Sequence, residues 1–63
     1  MRYFVIVENQ EEEIIFKDYI EGVPSIEILI YAIKKYFYPC CGHYWIATKE
    51  PQNYCDECII YNE

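Results

Sequence analysis

The chain carries a single histidine, His43, a single serine, Ser25, and a single threonine, Thr48. So few imidazole and hydroxyl groups leave no nucleophile, base and orienting partner of the usual kind, and no enzyme is expected on these grounds. Basic residues are scarce as well. Five Lys and Arg stand against eleven Asp and Glu, and the formal charge of -6 opposes non-specific binding to phosphate backbones. The longest apolar run in a helical stretch, 28–33, is far short of the ~20 residues that a membrane span needs. The short apolar run after Arg2 ends at Glu8 with no small-residue cleavage site, so no export signal is read and a reducing cytosol is the expected compartment.

What is present is hydrophobic and aromatic. The 63 residues are 54% hydrophobic, with eight Tyr, three Phe and one Trp, which is too apolar for a disordered tail. One domain of this length builds a core worth only ~3–5 kcal/mol, so a covalent or metal staple is expected.

The order of residue types predicts a small α+β fold. Residues 1–21 read as a β-hairpin: an aromatic and β-branched run over 2–8, a polar turn over 9–12, and a second run over 13–20. Alternation places Ile14, Phe16 and Ile20 on one face of the second strand. The first strand is apolar on both faces, which suits a buried strand or an edge offered to a partner. Gly22, Pro24 and the cap residue Ser25 announce a helix over 24–38, stopped by Pro39. Ile26, Leu29, Ile30, Ile33 and Phe37 share one helical face, and Ile28, Tyr31 and Ala32 make the adjoining surface apolar. Such a helix needs a second thing to pack against, either the C-terminal module or a second copy of the chain as a homodimer.

Residues 39–63 hold all four cysteines and the histidine. Cys40-x-x-His43 and Cys55-x-x-Cys58 are two pairs of soft donors three residues apart, and such pairs suit a tetrahedral Zn2+. Around them, short strands over 44–48 and 59–61 are expected. The stretch Tyr38-Pro39-Cys40-Cys41-Gly42 resembles the knuckles of zinc-ribbon domains, with tyrosine where their first cysteine stands. The resemblance covers residues 38–60 and implies a structural metal, without implying an activity. Its register points to Cys41 as the ligand, with His43 or Cys40 completing the set. Spacing alone favours Cys40 with His43, leaving Cys41 as a small buried hydrophobe. Disulfides fare worse, because adjacent cysteines form a strained bridge or must reach two different partners. Thiol redox chemistry at Cys55-x-x-Cys58 is disfavoured by Asp56 and Glu57 between the thiols.

The expected function is therefore a non-enzymatic, zinc-stabilised protein-interaction module. Its size and charge suit an acidic inhibitor or regulator of a nucleic-acid-handling protein, of the kind that viruses and mobile elements encode. The expected contacts with a basic partner surface are Glu11, Glu12 and Glu13 at the hairpin tip, otherwise a solvated tip, with Tyr44 and Trp45 beside the metal, otherwise core and rim packing. The competing reading is direct nucleic-acid binding through Arg2, Lys34, Lys35 and Lys49.

Overall fold

A computed structural model of the chain describes residues 2–50 and the backbone of 59–62. Four strands and one helix follow in the order β1 (Arg2–Asn9), β2 (Ile14–Glu21), α1 (Ile26–Phe37), β3 (Cys41–Ala47) and β4 (Ile59–Asn62). They form one antiparallel sheet, ordered β2-β1-β3-β4. The helix packs on one face of it.

Packing on both faces of the sheet explains why β1 is apolar throughout. As an inner strand it is flanked on both sides, and its residues 3–8 are all buried. Tyr3, Val5 and Val7 face the helix and cluster with Leu29, Ile33, Cys41, Tyr44 and Ile46. Phe4 and Ile6 point the other way, into a smaller cluster with Trp45 against which Tyr19 packs. Tyr19 meets Phe4 edge-on at 4.8 Å, and its hydroxyl accepts from the Glu50 N–H at 3.1 Å. The guanidinium of Arg2 sits 3.7 Å from the centre of the same ring.

The helix begins where the sequence places its cap. The Ser25 hydroxyl accepts from the Ile28 N–H at 3.3 Å, and Glu27 in the first turn and Lys34 and Lys35 in the last complement the helix dipole. Ile26, Leu29, Ile30, Ile33 and Phe37 pack onto the sheet as their spacing predicts. Ile28 and Tyr31 are exposed at 51% and 68%. Among the described residues no element covers that outer surface. No helix among them is long and apolar enough to cross a membrane.

Two irregularities in pairing change which side chains share a face. Between Val7 and Glu8 the partner on β2 jumps from Phe16 to Ile14, so Ile15 is an extra residue. The bulge sets Ile14 opposite Glu8, on the face away from the helix, and corrects the expected grouping of Ile14 with Phe16 and Ile20. Between Glu8 and Asn9 the partner on β3 jumps from His43 to Cys41, leaving Gly42 as the extra residue.

Gly42 is required there by space. A Cβ at this position would lie 2.6 Å from the backbone oxygen of Asn9, which cannot swing aside as a side chain would. Gly42→Ala is expected to cost about 1–3 kcal/mol, the usual range for forcing extra volume into a packed site. A urea titration reads it as a lowered midpoint; an unchanged midpoint would mean the bulge relaxes freely.

Candidate metal and contact sites

The first donor pair lies where the chain leaves the helix and joins the sheet. Tyr38 ends the helix in extended backbone, Pro39 follows, and β3 opens at Cys41. The neighbouring cysteines then separate. Cys40 is exposed and lines a groove with Asn9, Gln10, Glu11 and Pro39, whereas Cys41 is 4% exposed in the helix-side core.

Without the bulge, Cys41 and His43 would share a face, because strand side chains repeat every two residues. The extra residue Gly42 removes that relation. Cys41 stays with the helix-side cluster, while His43 pairs with Glu8 across β1 and β3, on the opposite face. The sheet lies between them, so Cys41 and His43 do not converge.

His43 meets instead a residue with no assigned part in the metal site. Its Nε2 lies 3.3 Å from Glu8 Oε1, and the two side chains are 26% and 10% exposed. Glu8 is the buried charged residue of the described chain. Its signal in the sequence is positional: it continues the alternation Phe4, Ile6, Glu8, so the period of two aims it at the same face as two core residues. Grouping it by charge with Glu11 to Glu13 hides this.

Cys55 and Cys58 lie outside the described residues, and so does any statement of their contacts. Among the described residues, no three His, Cys, Asp or Glu side chains gather as a metal-holding group. The register of β4 still bears on the site. Its first residue, Ile59, pairs with Ile46, and Asn62 pairs with His43. At ~3.3 Å per residue, β4 begins about 10 Å along the sheet from His43 and about 17 Å from Cys40.

The acidic tip is well formed. Asn9 organises it: its side-chain oxygen accepts from the N–H groups of Glu11 and Glu13, each at 2.9 Å. The Asn9 N–H donates to the Glu13 carbonyl at 2.9 Å, and the Glu12 N–H donates to the Asn9 carbonyl at 3.1 Å. Glu12 adopts φ of 66°, the left-handed conformation that closes the turn. The Gln10 side chain donates to the Pro39 carbonyl at 3.3 Å and ties the tip to the turn before Cys40. Glu11, Glu12 and Glu13 are all exposed.

Tyr44 and Trp45 take a core placement in place of the contact role given them above. Tyr44 is 0% exposed and Trp45 7%, on opposite faces of the sheet, Tyr44 under the helix and Trp45 against Phe4, Ile6 and Tyr19. Both are core residues, and neither offers a contact surface. Of the four basic residues proposed as a patch, Arg2 is engaged by the Tyr19 ring and lies 3.9 Å from a Glu21 carboxylate oxygen. Comparison with family models, with curated proteins and with solved structures finds no match to this chain.

Proposed function

We propose that the chain is a non-enzymatic interaction module, clamped by one structural zinc ion, that presents a preformed acidic tip to a basic surface of a protein partner. The observation that carries this reading is the tip itself. Three consecutive exposed carboxylates sit on a turn whose backbone N–H groups are held by Asn9, so little ordering entropy is lost when a partner docks. A nucleic-acid-handling protein is the natural class of partner, because clustered carboxylates compete with phosphates for Lys and Arg. The zinc is assigned to His43, Cys55 and Cys58 from their spacing, with the fourth donor read in the sequence as Cys40. Gln10 donates to the Pro39 carbonyl one residue before Cys40, which ties the tip to the stretch assigned to the metal.

The test compares the native chain with the triple variant Glu11→Lys, Glu12→Lys, Glu13→Lys. In capture from a lysate, the native chain is expected to retain a basic protein at low salt, and the variant to bind that protein at least ~10-fold more weakly through a slower on-rate. Neither is expected to shift labelled DNA or RNA. Affinity of the native chain for those probes that falls steeply with salt would overturn the reading in favour of direct nucleic-acid binding.

A further inference from the structure

We infer that the outer face of α1 is where two copies of this chain meet, as antiparallel helices related by a twofold axis at Tyr31. This contact uses neither the metal nor the acidic tip.

The face is apolar and open. Leu29 and Ile33 are buried against the sheet, while Ile28 and Tyr31 are exposed on the far side of the helix and Tyr38 is exposed at its end. Ile28, Tyr31, Lys35 and Tyr38 recur at intervals of three and four residues, the spacing of a stripe that one helix presents to another.

Charge identifies the occupant. Glu27 lies in the first turn and Lys34 and Lys35 in the last, all three exposed and none in an ion pair among the described residues. A second helix laid antiparallel about Tyr31 sets Glu27 of each copy against Lys35 of the other, so the complementary pair forms twice. The helix dipoles then oppose each other favourably. Ile28 of one copy covers the methylene stem of Lys34 of the other, and the two Tyr31 rings meet at the axis. A parallel pair would set like charges against each other at both ends. Elsewhere the chain resists its own copy, since eleven Asp and Glu stand against five Lys and Arg. With one acid and two bases, α1 is where two such chains approach with least repulsion.

The edge strand β2 is the rival surface, and its own charges oppose it. Residues paired directly across two antiparallel strands share a face, so twofold pairing of β2 with its copy sets one residue opposite itself at the axis. The two registers of greatest overlap place Lys17 against Lys17 or Asp18 against Asp18, both exposed.

The 12 residues of α1 give a seam ~18 Å long. That is a small interface of the transient class, and a dissociation constant of about 10–100 µM is expected. Sedimentation equilibrium of the full chain from ~1 to ~500 µM, at about 0.15 M salt to screen the net charge, measures it. The native chain is expected to pass from monomer to dimer and no further, because a twofold contact closes on itself. A monomer throughout, or growth beyond the dimer, would overturn the inference. Tyr31→Glu, at an exposed site that leaves the fold intact, is expected to weaken the dimer at least ~10-fold. An undiminished dimer would place the contact elsewhere and overturn the assignment to α1. Glu27→Lys and Lys35→Glu are each expected to weaken self-association at least ~10-fold, since like charges then face each other twice. Mixed in equal amounts, these two variants are expected to dimerise at least as tightly as the native chain, each supplying the charge that the other lacks. A helix merely destabilised by the substitutions could not be rescued by mixing. Single variants that associate normally, or a mixture that stays monomeric, would overturn the antiparallel pairing.

Discussion

Removal of zinc is expected to abolish cooperative unfolding of this chain. Structural zinc in small finger peptides contributes an apparent ~10–16 kcal/mol at neutral pH, against the ~3–5 kcal/mol that a core of this size supplies. On these figures a bound zinc would contribute about two- to fivefold as much as the core. A strong chelator, or either of Cys55→Ser and Cys58→Ser, should flatten the thermal transition, and added zinc should restore it for the native chain alone. Cys41→Ser behaves differently. It sets a hydroxyl in the helix-side core at a site 4% exposed, so it should cost about 1–3 kcal/mol while leaving zinc in place. A chelator that leaves the melting temperature unchanged would show that the core stands without a metal.

The second large effect belongs to Tyr44. Its side chain is fully buried among β1, β3 and the helix, paired across the sheet with Val7. Truncating a buried aromatic removes its transfer free energy and leaves a cavity, together about 3–5 kcal/mol. Tyr44→Ala is thus expected to lower the urea midpoint of the zinc-loaded chain strongly. A contact residue on the surface would give the opposite pattern, an unchanged midpoint with weakened partner binding.

Much of the fold was legible because local signals agreed with one another. The Ser25 cap, the spacing of Leu29 and Ile33 and the stop at Pro39 locate the helix to within two residues at its start and one at its end. The doubly apolar first strand suits either a buried strand or an edge offered to a partner, and it is an inner strand with residues 3–8 buried. The last strand, expected over 59–61, is present as Ile59–Asn62 and pairs back onto β3.

The candidate site was less legible, and bulges are the reason. A one-residue insertion in a strand reverses the faces of everything beyond it, yet its mark in the sequence is only one small or permissive residue. Gly42 leaves Cys41 in the helix-side core and sets His43 on the opposite face, so ligand spacing counted along the chain does not describe positions in space. Ile15 does the same to Ile14. Tyr44 and Trp45 read as a binding rim because they flank the metal motif in sequence. Tyr44 is buried under the helix and Trp45 against Phe4, Ile6 and Tyr19, contacts set by long-range pairing that no local pattern encodes. Glu8 was obscured by company of like charge, although its place in the period of two was there to be read.

Native mass spectrometry of the purified chain tests the metal clamp most directly. The expected spectrum shows one zinc ion per chain, lost in Cys55→Ser and retained in Cys41→Ser. A metal-free native chain, or one whose mass shows its cysteines oxidised to disulfides, would contradict it.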